Sequence, residues 1–346
     1  MKKNRSKTLI YLLMLFLLPA SVCNAKAIYR TETIYIPSPV TMHILSFEKD
    51  DFFISVHTVE DPYVKELSSI VESSGALFGL NGGFFGRENN EILGLLSSNG
   101  KIISKKKLFG RGSLIVGNDN SIRIDMLSRE DLTGEIALEE RFILSGGHII
   151  LRDSKVPELK SKKNPMTAVG YNADRIYLVV AEGRNLTSWG IDEKRLGAYM
   201  REIGCTHAIA MDGGGSSELC FHSGADDEIR CSDDLFSSNG NRAVIVNDTS
   251  DGGERPIKTA ILFFKNDFLF NPGEDLSDRI VNNVIAKLNR HSFHISKAAG
   301  TSDIFNVQYA QGEAVYSGKY SSGKSETEDV MVLFGKKGKN YVPKLT

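Results

Sequence analysis

Cysteine is scarce in this chain: four occur in 346 residues, and none stands in a CxxC pair or at the Cys/His spacing of a structural zinc site. Neither sign of charge is in surplus, with 42 Lys and Arg against 43 Asp and Glu. A net charge of -1, with no basic stripe interleaved with aromatics, argues against nucleic acid or an anionic membrane as partner. Both demand surplus cations to displace counterions. The seven histidines form neither HExxH nor H-x-E, so lone ones such as His148 and His207 read as structural. There is no Gly-x-Ser-x-Gly elbow to activate a serine, and no repeat of solenoid length.

What is present starts with a leader-like N-terminus. Lys2, Lys3, Arg5 and Lys7 precede an apolar run from Leu9 to Leu18, then Pro19 and small residues up to Ala25. That order predicts a signal peptide over residues 1–25 and an exported protein, periplasmic or secreted. The apolar run is too short for a comfortable membrane span, so no stable membrane insertion is expected. Val22 is a poor neighbour for lipidation at Cys23. Export places the remaining cysteines where disulfides persist. Cys220 and Cys231, bracketing a polar stretch, are expected to pair, and Cys205 reads as a buried thiol.

Short apolar runs divided by turn signals fill the first half. Thr41 to Phe47 and Phe52 to Thr58 read as a hairpin around Lys49-Asp50-Asp51, and Asn99-Gly100 joins Ile92 to Leu96 with Lys101 to Ser104. Ser113 to Val116 and Ser121 to Asp125 form a third pair, and His148 to Leu151 runs into a turn at Arg152 to Lys155. The rhythm then changes. Ile176 to Val180 predicts a strand, Asp192 to Ile203 a helix capped by Asp192 and stopped at Gly204, and Ala208 to Met211 a further strand. The expected fold class is α+β (mixed α/β), a mixed sheet with hairpins and covering helices. Residues 26–264 are expected to form the main domain and 265–346 a small accessory α+β segment. The latter carries a helix at Leu276 to Leu288, strands at Phe293 to Ile295, Ile304 to Tyr309 and Val330 to Phe334, and a polar stretch from Ser317 to Glu328.

Two segments share one design. Ala76 to Leu80 runs into Asn81-Gly82-Gly83-Phe84-Phe85, and Ala208 to Met211 runs into Asp212-Gly213-Gly214-Gly215-Ser216-Ser217. Each sets a polar side chain at a strand end, followed by glycines that let the chain turn and bare its N–H groups. Such groups can make a concave anion site.

With Thr-Ala-Val-Gly at 167–170, Glu-Gly-Arg at 182–184, Gly-Cys at 204–205 and Glu-Arg-Pro at 254–256, these motifs in order resemble those of the phosphodiester glycosidases. The likeness covers roughly residues 45 to 265. It implies hydrolysis of a sugar-1-phosphodiester, of the N-acetylglucosamine-1-phosphodiester kind, to free sugar and a phosphomonoester. The chain departs from the family in having Met166-Thr167 for Arg-Thr, and Glu182 where Asp is frequent. Lys162, Lys163 or Arg184 could supply the missing charge.

A phosphate leaving group is weakly basic, so the reaction needs one carboxylate and anion-binding groups more than the carboxyl pair of ordinary glycosidases. Asp212 is the first candidate for base or nucleophile and Glu182 the second. Substrate contacts are expected from Asn81, Gly82, Gly83, Thr167, Arg184, Gly213, Gly214, Gly215, Ser216, Ser217 and Arg255. The competing part for Asp212 is an Asx-turn. No cofactor or metal site is expected, although Asp212 and Glu182 could hold a hard cation such as calcium. The expected partner is a small-molecule or glycan phosphodiester, and nothing sets an oligomeric state. The alternatives are a non-catalytic phosphoglycan-binding protein and a phosphodiesterase that releases sugar phosphate.

Overall fold

The computed structural model describes residues 26–265, apart from 36, 99–100, 107–110, 118–119, 129, 132–135, 137–139 and 232–242, together with strands within 306–344. The leader at 1–25, the turn Asn99-Gly100 and the helix expected at Leu276 to Leu288 lie outside the described residues.

Strands β1 (Ala27–Tyr35), β2 (Pro39–Glu48) and β3 (Phe52–Thr58) lead to helix α1 (Leu67–Ser74) and β4 (Phe78–Asn81). Next come β5 (Leu95–Ser98), β6 (Lys101–Lys105), β7 (Ser113–Gly117), β8 (Ile122–Asp125), β9 (Glu140–Ser145) and β10 (Ile149–Leu151). Strands β11 (Met166–Tyr171) and β12 (Arg175–Ala181) precede helix α2 (Glu193–Glu202) and β13 (His207–Ala210). The domain closes with β14 (Leu219–His222), β15 (Ile229–Arg230), β16 (Ala243–Ile245) and β17 (Thr259–Lys265).

Three sheets result. One has seven strands in the order β10-β13-β11-β12-β2-β1-β15, a second runs β16-β14-β4-β17-β3, and a third runs β6-β5-β9-β7-β8. The architecture is therefore β-dominated, a correction to the α+β expectation: the described helices are short and each covers one sheet face. Alternation explains the layering. In β2, Met42 and Ile44 pack with Leu196, Tyr199 and Met200 of α2, while Leu45 and Phe47 face the opposite core. That core gathers Phe52, Phe78, Phe221 and Phe263 of the second sheet with Leu114, Phe142 and Leu144 of the third. Helix α2 starts as its sequence predicts, Asp192 accepting the Arg195 N–H at 3.0 Å, and Gly204 follows it at φ +105°.

Two local expectations fail. Strands β2 and β3 do not form a hairpin: β2 pairs with β1 and β12, whereas β3 pairs with β17, so the turn between them crosses from one sheet to another. Cys220 and Cys231 are not bonded to each other. Cys220 faces α1 beside Leu67, Ile70 and Val71, while Cys231 packs on the core behind the other face of that sheet. The parity of Cys220 in β14 turns its sulfur toward α1 and away from that core. Farther on, Asn306–Ala310, Glu313–Ser321, Thr327–Lys337 and Asn340–Lys344 pair in sequence as a four-stranded antiparallel sheet. Part of the stretch read as polar turn is thus strand, because Ser317–Ser321 pairs with Thr327–Met331.

Candidate active site

The two glycine-bearing strand ends meet. Asn81 Nδ2 donates to the Asp212 carbonyl at 2.8 Å, and the Asp212 N–H donates to the Gly82 carbonyl at 3.1 Å. Asn81 Oδ1 accepts from the Thr167 hydroxyl at 2.8 Å and from the Glu218 N–H at 3.1 Å. Asn81 and Thr167 are fully buried. Their side chains stitch the seven-stranded sheet to its neighbour and so fix where Asp212 stands. Gly82 and Gly83 are explained by close approach. A Cβ on Gly82 would lie 2.4 Å from Thr259 Oγ1, and one on Gly83 2.4 Å from the Ser145 carbonyl of the third sheet.

The Asp212 loop is a tight turn whose N–H groups are largely engaged inside the fold. Those of Gly213, Gly214, Ser216 and Ser217 bond Asp212 Oδ1, the Pro165 carbonyl, the Gly213 carbonyl and the Gly214 carbonyl. The cationic groups that stand against this turn are arginines. A Cβ on Gly214, whose φ is +67°, would lie 3.1 Å from Arg184 Nη2, and one on Gly215 would lie 3.0 Å from Arg255 Nη1. Arg184 itself takes φ +63°, a left-handed conformation that non-glycine residues rarely adopt. Asp251 lies 3.7 Å from Arg184 Nη1, and its carboxylate fills the space a Cβ on Gly215 would take. The Ser217 hydroxyl is buried without a hydrogen-bond partner among the described residues, and the buried Ser216 hydroxyl lies near the Asp212 carboxyl.

Burial pushes the Asp212 carboxyl up to about 6, against the nearby Ser216 hydroxyl, the Gly213 N–H and the charges of Arg255 and Arg87. Glu182 goes the other way. Its burial alone would raise it, yet the bonds from His43 and the Asp248 N–H bring it below the usual glutamate value. His43 Nε2 lies 2.8 Å from Glu182 Oε1 and the Asp248 N–H 2.7 Å from the same oxygen. Behind them the Tyr29 hydroxyl lies 2.7 Å from His43 Nδ1, so a Tyr29–His43–Glu182 chain runs through the interior. Among the described residues, no group of three or more His, Cys, Asp or Glu side chains is placed to hold a metal ion.

A family model for phosphodiester glycosidases matches residues 74–264. The chain belongs to the phosphodiester glycosidase family. Among solved structures it resembles the zebrafish N-acetylglucosamine-1-phosphodiester alpha-N-acetylglucosaminidase catalytic domain auto-inhibited by pro-peptide. That match has a TM-score of 0.53 and 17% identity, and covers 69% of this chain and 83% of that one. At this identity the likeness speaks for the fold. A hypothetical protein from Synechocystis matches at a TM-score of 0.45 and 10% identity over 68% of this chain and 62% of that one. No curated protein matches.

On this family fold the structure gathers Asp212, Gly213 to Ser217, Arg184 and Arg255 around one turn, with Asn81 and Thr167 beneath it. Met166, where the family resemblance implies Arg, is buried, with its sulfur 3.5 Å from where a Gly213 Cβ would be. Of the cations named as substitutes, Arg184 reaches the turn, whereas Lys163 bonds the Ser38 hydroxyl. Sequence reasoning missed His43, Tyr29, Arg87 and Glu218. His43 left a trace, a polar residue on the core-facing parity of β2. Glu218 is fully buried, one oxygen accepting the Arg255 N–H at 2.8 Å, and burial pushes it up to about 8. Glu254 accepts the Ser68 N–H at 3.0 Å and thereby caps α1, which gives each charged residue of Glu254-Arg255 a separate task.

Proposed function

We propose that this chain hydrolyses a sugar-1-phosphodiester, of the N-acetylglucosamine-1-phosphodiester kind, to free sugar and a phosphomonoester. The observation that carries the reading is the turn after Asp212, met by the Arg184 and Arg255 guanidinium groups and fixed from beneath by Asn81 and Thr167; burial raises the Asp212 carboxyl, whereas its partners lower that of Glu182. Groups pushed apart in this way divide acid–base work from charge stabilisation. Asp212 takes the proton of the attacking water as its oxygen bonds the anomeric carbon. Glu182 stays ionised and stabilises positive charge developing on the sugar. As the bond from the anomeric carbon to the phosphate oxygen breaks, Arg184 and Arg255 hold the departing phosphomonoester. The charged and apolar leader supports export to the periplasm or beyond.

The test is to incubate the purified chain with an N-acetylglucosamine-1-phosphodiester of a small alcohol and resolve the products. Free sugar with alkyl phosphate is expected. Sugar phosphate would overturn the reading in favour of a phosphodiesterase, and binding without any product would overturn it in favour of a receptor.

A further inference from the structure

The loop at 183–190, which links Glu182 to α2, is pinned by hydrogen bonds along its length. Asn185 Oδ1 accepts the N–H groups of Thr187 at 3.2 Å and Ser188 at 2.6 Å, and its Nδ2 donates to Asp248 at 3.0 Å. The Ser188 hydroxyl donates to the Glu182 carbonyl at 2.9 Å and accepts the Thr41 N–H at 3.0 Å. The Trp189 N–H reaches the Pro39 carbonyl at 3.0 Å. At the neck, Gly183 and Gly190 touch so closely that a Cβ on Gly183 would lie 2.7 Å from Gly190 Cα. The exposed side chains of the loop are Arg184, Leu186, Thr187 and Trp189, and the two apolar ones stand far out in solvent: Leu186 is 98% exposed and Trp189 60%. A loop pinned at so many points does not expose them by slackness.

The same loop carries Arg184, whose guanidinium stands against the Gly214 turn. Leu186 and Trp189 follow Arg184 in the chain by two and five residues. We propose that Leu186 and Trp189 form a subsite for the non-sugar side of the phosphodiester, and that this side presents a hydrocarbon chain. An alkyl chain suits the pair better than a sugar ring, because Leu186 offers no flat face for stacking. The inference rests on the phosphodiester reading of the site, but its test does not require turnover.

Trp189 is the chain's one tryptophan, so its emission reports this loop alone. The measurement is a titration with butyl, hexyl and octyl phosphate kept monomeric, with inorganic phosphate and a hexose phosphate as comparisons. The expected result is a blue shift with the alkyl phosphates and an affinity that rises about two- to fourfold per added methylene, the gain for burying one CH₂ in part or in full. Leu186→Ser is expected to flatten that chain-length dependence. No emission change with octyl phosphate, an equal response to inorganic phosphate, or an undiminished dependence in Leu186→Ser would overturn the subsite. So would a shift given by phosphatidylglycerol vesicles and not by monomeric alkyl phosphates, which would assign the surface to a membrane. If chain length matters while the product assay is negative, the hydrolase reading fails and the subsite stands; the reverse pattern sinks the subsite only.

Discussion

Replacing Asp212 by asparagine separates the charge of the candidate base from its shape. Asparagine can still accept the Gly213 N–H through Oδ1, so the turn is expected to persist. What disappears is a carboxylate that burial disfavours, with a pKa moved from 3.8 to about 6. A folded-state value above the unfolded one gives stability that is complete below the unfolded pKa and lost as pH rises through the folded pKa. At about 1.4 kcal/mol per unit the whole effect is roughly 3 kcal/mol, of which about 2 kcal/mol falls between about pH 4.5 and pH 7.5. Relative to wild type, Asp212→Asn is therefore expected to gain about 2 kcal/mol of unfolding free energy on going from the lower to the higher pH. Hydrolysis is expected to fall by roughly 10² or more. In the wild type, kcat/KM is expected to rise with pH through about 6, as the base loses its proton. Urea unfolding of both proteins at the two pH values, with product release measured alongside, decides the matter. A stability difference that does not change with pH would refute the buried-charge argument. Wild-type turnover in the variant would leave Asp212 as a turn former.

Glu182→Gln is expected to show the opposite sign: the lowered pKa of Glu182 means that its charge stabilises the fold above about pH 4.5, so the variant loses stability at neutral pH and matches wild type in acid, by the same urea measurement. Gly214→Ala places a methyl group at φ +67° and 3.1 Å from Arg184 Nη2, so a loss of about 1 kcal/mol or more and weaker phosphate binding are expected together in calorimetry. Because Cys220 and Cys231 lie behind opposite faces of one sheet, adding reductant is expected to leave the thermal midpoint unchanged. The segment beyond β17 is proposed to be an accessory unit, so a chain ending at Lys265 should unfold cooperatively and keep its activity.

The sequence made some of this legible and hid the rest for identifiable physical reasons. Asn-Gly-Gly and Asp-Gly-Gly-Gly stood out because consecutive glycines after a polar strand end signal a sharp turn or a close backbone approach, and the two segments do meet. Helix α2 was readable from its cap and its stop. Pairing between sheets was not, since the turn signal at Lys49-Asp50-Asp51 reports a reversal and says nothing about which sheet receives the next strand. Bare N–H groups were inferred from glycine content, yet the Pro165 carbonyl and the loop's own carbonyls take several of them. The Tyr29–His43–Glu182 chain draws on β1, β2 and the residue that follows β12, and only tertiary register brings it together.

The clamp made by Asn81 has a consequence for how the molecule fails. It joins a strand end of one sheet to Thr167 and Asp212 of another, and Gly83 presses the same junction against the third. The geometry of the candidate site and sheet assembly thus share one set of contacts. Any opening of that seam would scatter the groups of the candidate site. Turnover should then vanish at or below the temperature at which tertiary structure is lost, and never outlast it, which makes activity the earliest alarm for disassembly of this domain.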